Sequence, residues 1–207
     1  MLKVGNRWGK DSTSRRSGGK CWTCVGAHGN EGKQHVGWIV WGDVELIING
    51  RELIKAEPIK DMLTSKHTAH GVSHGLSEGG YDVRIAEDVF FGEQGVCVDG
   101  EWKQGRFTLA STIEEFDMPF DLIGIVHDKS SWARQGLSVF SGTVIESGWR
   151  GWLTLELVYH GWKPLHIKAG SGIAQVLFHQ LAEPAAYNGK YQDQSRGAVE
   201  AKFEHKR

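Results

Sequence analysis

The sequence predicts a mainly β domain, a sandwich or barrel of short strands, on three observations. From Gly80 onward, apolar runs of a few residues are divided at regular intervals by turn signals, the texture of sheets closed around one core. Val96-Cys97-Val98-Asp99-Gly100-Glu101-Trp102 reads as a hairpin, because an Asp-Gly pair takes up the positive-φ turn whose twist suits paired strands. Few stretches carry the 3.6-residue period of an amphipathic helix, so little of the chain is assigned to helix.

Taken in order, residues 1–36 are rich in Gly, Lys, Arg and Ser and show little apolar periodicity. They read as an irregular N-terminal extension. Within it, Cys21-Trp22-Thr23-Cys24 with His28 and His35 supplies four residue types that bind zinc, but a single CxxC with no second pair is a weak signal, and no metal site is assigned. The domain proper is read as residues 37–207, with a tail over 187–207. Val36 to Ile59 is first apolar and then amphipathic, and Asn49-Gly50 marks a turn. His67, His70 and His74 stand among Ser, Thr and Gly, which predicts a polar loop in preference to a metal site. Strands are expected at Arg106–Ser111, Asp121–His127, Gly151–Tyr159, Pro164–Lys168 and Ile173–Leu181.

Composition narrows the function. The chain has 207 residues, enough for one domain with a sizeable core. Lys and Arg total 24 against 25 acids, a net charge of −1, so there is no basic footprint for nucleic acid. No apolar run approaches a bilayer span, and the opening MLKVGNRWGKDS is too polar for a signal peptide, so a cytoplasmic protein without a membrane partner is expected. Three cysteines, an odd number, argue against a disulfide framework and for a reducing compartment.

The stretch Lys129 to Tyr159 concentrates the chemistry. It opens on a cation and two hydroxyls, Lys129, Ser130 and Ser131, a set suited to phosphate oxygens. Arg134 follows, and Ser141-Gly142-Thr143 lets backbone approach a ligand. It closes on Leu153-Thr154-Leu155-Glu156-Leu157, where a period of two puts the carboxylate on the side away from the leucines. A carboxylate between leucines is either a solvated surface group or, once partly buried, a proton shuttle. Trp132, Trp149, Trp152 and Trp162 are read as a cluster near this site that packs the core or a subunit interface.

Five ordered stretches carry a resemblance. Gly80-Tyr81-Asp82-Val83-Arg84, Lys129-Ser130-Ser131-Trp132-Ala133-Arg134, Ile145-Glu146-Ser147-Gly148-Trp149-Arg150-Gly151 with Leu155-Glu156, Gly172-Ile173-Ala174-Gln175, and Tyr187-Asn188 with Lys190-Tyr191 and Gln194 resemble the dCTP deaminase and dUTPase superfamily. The likeness spans roughly residues 78–200, and it implies a short N-terminal helix and an extended segment ahead of the first motif, within Asp43 to Met62. It implies a distorted jelly-roll-like, dUTPase-type β barrel, a homotrimer with active sites shared between chains, and zinc-independent deamination of dCTP to dUTP and ammonia. The H-x-E or C-x-E element and P-C-x-x-C pair of zinc nucleobase deaminases are not in the sequence.

By the same resemblance Glu156 is the catalytic carboxylate, Arg134 positions it or the water, and Ser130 with the backbone at Gly142 and Thr143 meets the base and the water. Lys129, Ser131, Tyr187, Lys190 and Gln194 hold the triphosphate, with Mg²⁺ bridging its oxygens. Gln175 contacts phosphate, Glu146 the sugar 3′-hydroxyl or a water, and Trp149 the sugar. Lys129 stands where deaminases have Arg and Glu146 where they have Asp, and Lys129 to Gly151 has the dUTPase length, one residue short of the deaminase pattern. Two alternatives therefore accompany dCTP deaminase: a dUTP diphosphatase or bifunctional enzyme with Glu146 as base, and a nucleotide-binding regulator that uses the extension and its Trp8 and Trp22.

Overall fold

The computed structural model describes residues 46–139, 142 and 144–203. The extension over residues 1–36, with Trp8, Cys21, Trp22, Cys24, His28 and His35, lies outside the described residues, as does Thr143.

Strands dominate the described residues, with two short helices. β1 (Ile47–Ile48) leads into α1 (Gly50–Ala56). The Asn49-Gly50 pair thus opens a helix and not the expected turn: Asn49 takes the cap position in extended backbone. Leu53, fully buried, anchors α1. The helix stops at Glu57, in the left-handed region at φ 45°, ahead of Pro58.

β2 (Lys66–Ala69) and β3 (Val72–Leu76) form a hairpin turned at His70-Gly71, both at positive φ. This corrects the polar loop expected for the histidines. His67 and His74 face each other across the ladder with rings 5.9 Å apart, and His70 occupies a turn position more often given to Asn or Asp. β4 (Tyr81–Arg84), β5 (Val89–Gly92), β6 (Gly95–Val98) and β7 (Glu101–Lys103) follow, the last two joined at Asp99-Gly100 as the hairpin reading predicts.

β8 (Phe107–Asp117) runs well past the expected end at Ser111, because Thr112, Glu114 and Phe116 continue its buried face. The remaining elements are β9 (Leu122–Asp128), α2 (Ser130–Ala133), β10 (Leu137–Ser138), β11 (Val144–Ile145), β12 (Arg150–Tyr159), β13 (Leu165–Ile167) and β14 (Gly172–Gln180). Strands appear at each of the five places the sequence marked.

The strands make three antiparallel sheets. One runs β11-β9-β14-β4-β3-β2 with β1 also on β14, the second β10-β12-β8, the third β13-β5-β6-β7. A single core joins them: Tyr81, Val83 and Phe178 from the first, Phe116, Leu155 and Leu157 from the second, Phe91 and Ile167 from the third. Each such side chain contributes about 1.5–3 kcal/mol on burial. The four tryptophans do not cluster as expected. Trp132 and Trp149 are buried, with indole N–H groups on the Gly172 and Tyr191 carbonyls respectively, whereas Trp162 is 93% exposed on the β12–β13 loop. Among the described residues no helix is long and apolar enough to cross a membrane.

Candidate active site

The outer face of the β8–β12 ladder builds the site. On β12 the sequence alternates as read, with Leu155 and Leu157 buried in the core and Glu156 half-buried on the opposite face, across from Leu109 of β8. Leu153 breaks the alternation. The register shifts between Trp152 and Thr154, a bulge held by the Thr112 hydroxyl, which accepts the Leu153 N–H at 3.0 Å. Leu153 therefore reaches the same side as Thr154 and Glu156, against the period-two reading.

That side is one wall of a cavity of about 450 Å³. Phe107 and Leu109 of β8, Val144 and Ile145 of β11, Gly142, Glu146 and Trp149 complete the sheet side, and Tyr187, Tyr191, Gln194 and Val199 to Ala201 of the tail close the other. The carboxylate of Glu156 has no hydrogen-bond or ion-pair partner among the described residues. Gly142 lies over it: a methyl added there would sit 3.4 Å from both carboxylate oxygens. Among the described residues the lining includes Glu146, Glu156 and Glu200 and no Lys, Arg or His. Such a wall accepts amino and hydroxyl donors and repels phosphate.

The cationic set lies elsewhere in the chain. Lys129 follows β9, and its ammonium, only 10% exposed, pairs with the Oδ2 of buried Asp82 on β4 at 2.5 Å. Gln175 of β14 stands directly opposite Asp82 and donates to the Ser77 hydroxyl at 3.0 Å. The Trp132 indole donates to the Gly172 carbonyl at 2.7 Å and fastens α2 against the start of β14. Ser130, Ser131 and Arg134 are exposed, and their side chains have no partner among the described residues.

The residues expected to act together thus fall into two groups. Glu156, Gly142, Glu146, Trp149, Tyr187 and Gln194 share the cavity, whereas Lys129, Ser130, Ser131, Arg134, Gln175 and Lys190 do not line it. Two tail residues have further uses inside the chain. Gln194 donates to the Trp152 carbonyl and the Thr154 hydroxyl, both at 2.7 Å, and the Lys190 ammonium lies 5.4 Å from the centre of the Tyr191 ring. The sequence reading gave no site role to Tyr191 or Thr154, which it named only within their motifs, and it missed Glu200 and the β8 residues. In Phe107-Thr108-Leu109 the apolar side chains face the cavity and Thr108 is buried, the reverse of what alternation alone suggests.

Glu114, also missed, is the buried carboxylate of the same ladder. It pairs with Arg84, which donates its Nε and backbone N–H to the two carboxylate oxygens at 2.8 Å each. Burial pushes its pKa up, opposed by the hydrogen bonds from Arg84. His74, buried beside Arg84 and His67, is held below the usual histidine range, chiefly by burial. Among the described residues no group of three His, Cys, Asp or Glu side chains is arranged to hold a metal ion.

Comparison with known proteins places the chain. A family model described as dCTP deaminase-like matches residues 101–181, a span that includes Lys129 to Arg134, Glu146 and Glu156. The chain is 38% identical over 146 residues to a dCTP deaminase of Campylobacter fetus subsp. fetus, covering 59% of this chain and 78% of that protein. It is 32% identical over 168 residues to a dCTP deaminase of Acidobacterium capsulatum, covering 68% and 91% respectively. The crystal structure of 2′-deoxycytidine 5′-triphosphate deaminase from Agrobacterium tumefaciens superposes with a TM-score of 0.48 at 10% identity, covering 69% of this chain and 50% of that one. With a mainly β fold, the ordered motifs and this extent of identity, the chain belongs to the dCTP deaminase family.

Proposed function

We propose that the protein catalyses the hydrolytic deamination of dCTP to dUTP and ammonia, in pyrimidine deoxynucleotide metabolism, and that Glu156 makes the proton transfers. The observation that carries this reading is the Glu156 carboxylate, without a partner among the described residues and set under Gly142 in a cavity of nucleoside size. Glu156 takes a proton from water as the water oxygen bonds to C4 of cytosine, and passes that proton to N3. It then moves the proton of the new hydroxyl to the amino group. The C4–N bond breaks, ammonia leaves, and the 4-keto product remains. The Gly142 backbone and the base-side wall hold the ring in place while charge develops. One carboxylate suffices for each transfer, so the scheme needs no zinc-activated water.

The triphosphate goes to the other group of residues. A wall with three carboxylates and, among the described residues, no cation does not hold phosphate, while Arg134, Ser130 and Ser131 lie exposed without partners among those residues. Each half is what the other lacks, which supports a homotrimer in which these residues and Lys129 of one copy complete the cavity of the next. Lys190 and Tyr187 then meet phosphate from the tail side, and Trp149 and Glu146 the sugar. Magnesium, bound with the substrate, would offset the charge of the triphosphate. Asp82, whose buried Oδ1 has no partner among the described residues, would be the nearest carboxylate to Lys129 able to hold a water of the hydrated ion.

A second reading, dUTP hydrolysis to dUMP and pyrophosphate, alone or after deamination, is favoured by one observation: Glu146 is an exposed, unpaired carboxylate lining the same cavity. Incubation with Mg²⁺ and either dCTP or dUTP separates the two. Ammonia and dUTP from dCTP, with dUTP left intact, is the expected outcome; pyrophosphate from dUTP without ammonia from dCTP would replace the first reading by the second.

A further inference from the structure

The tail docks in two unequal halves. Residues 187–194 are fixed densely. The Trp149 indole donates to the Tyr191 carbonyl at 2.6 Å, Arg150 donates to Gln192 and pairs with Asp193, and Gln194 runs parallel to Gly151. Gly151 is obligatory for that approach, since at φ 132° a Cβ would stand 2.4 Å from the Gln194 carbonyl oxygen. From Ser195 to Phe203 the attachments are few, and they include two backbone N–H groups: Val199 donates to the Thr154 hydroxyl at 3.0 Å and Lys202 to the Tyr191 hydroxyl at 2.9 Å. Yet this lightly held half supplies Val199, Glu200 and Ala201 to the cavity wall.

Thr154 is where the halves meet. Its oxygen accepts both the Gln194 side-chain amide and the Val199 N–H, so one hydroxyl ties the fixed half to the light half. It lies two residues before Glu156 on the same face of β12. We propose that Thr154 is a positioning residue of the reaction: its hydroxyl latches residues 195–203 across the Glu156 cavity, so that substrate binding depends on an oxygen that need not touch the reacting atoms. The kinetic part rests on the deaminase reading; the latch does not.

The test uses the full chain with Thr154→Val, which keeps the β-branched shape and removes the acceptor, and Thr154→Ser, which restores it. Hydrogen exchange at the Val199 amide is expected to quicken about tenfold in Thr154→Val. The amides of Leu155 and Leu157 should keep their protection, and Thr154→Ser should behave as wild type. With dCTP, KM is expected to rise about tenfold in Thr154→Val while kcat falls no more than about threefold, with recovery in Thr154→Ser. Unchanged exchange at Val199, or a serine variant as fast as the valine one, would overturn the latch. If Thr154→Val fails to fold, Val199→Pro removes the donor without touching β12; it should give the same KM rise, and an unchanged KM would overturn the proposal. A wild-type chain that releases no ammonia from dCTP would sink the deaminase reading alone, and the exchange result would still decide the latch.

Discussion

Glu114 and Glu156 stand on adjacent strands of one ladder and lead opposite lives. Glu114 is buried with a side chain 3% exposed, and Arg84 satisfies both of its oxygens. Glu156 is half-buried, has no partner among the described residues, and faces a cavity large enough for a nucleoside. A carboxylate that is buried and fully paired holds the fold together, because removing its partner strands a charge. One left unpaired in a cavity has its oxygens free for a substrate. On this sheet it is the state of the partners, more than burial, that sets the carboxylate proposed for catalysis apart from the structural one.

The sharpest way to break that contrast is Glu156→Gln. Ammonia release from dCTP is expected to fall about a thousandfold, with the melting temperature kept. Retained turnover, measured as ammonia per folded protein, would show that the unpaired carboxylate is idle. Glu114→Gln should do the reverse. Loss of a buried partner is expected to cost about 3 kcal/mol in urea unfolding, with kcat within twofold of wild type; a stable variant with lost turnover would exchange the two roles.

The same pair gives a pH prediction. Burial raises the Glu114 pKa above that of an ordinary carboxylate. The folded protein therefore holds this proton longer than the unfolded chain, and between the two pKa values stability falls as pH rises. The wild-type advantage over Glu114→Gln should shrink with rising pH across that window. A pH-independent advantage would contradict the assignment. The smallest expected effect is Gly142→Ala. Its methyl would rest in ordinary contact with the Glu156 oxygens, leaving the fold intact but crowding the water and base, and kcat/KM should drop about tenfold, ~1.4 kcal/mol. An unchanged kcat/KM would place the reacting atoms elsewhere in the cavity.

Much of this was readable from the residues. Short apolar runs with Asp99-Gly100 gave the β texture, and the strand around Glu156 lies where alternation put it. Other features depend on pairings distant in sequence. The Leu153 bulge is held by Thr112, 41 residues away, and Arg84 finds Glu114 across 30. The His67–His74 hairpin was hidden because its turn uses His70, a residue with weak turn propensity. Proximity in sequence also misled. Lys129 to Arg134 and Glu156 lie within one short stretch, yet the first ends a strand of the seven-stranded sheet beside Asp82 while the second sits on the β8–β12 ladder. A sequence motif shows which groups a site needs and leaves open which copy of the chain supplies them.

In the proposed homotrimer Glu156 of one copy stands beside Arg134 of the next, an arrangement that mixed oligomers test directly. Glu156→Gln and Arg134→Ala chains, each inactive alone, are unfolded together, refolded as a one-to-one mixture and assayed for ammonia release from dCTP. Random assembly of sites between neighbouring copies predicts recovery of about a quarter of wild-type activity, whereas a mixture as inactive as its components would contradict the shared site.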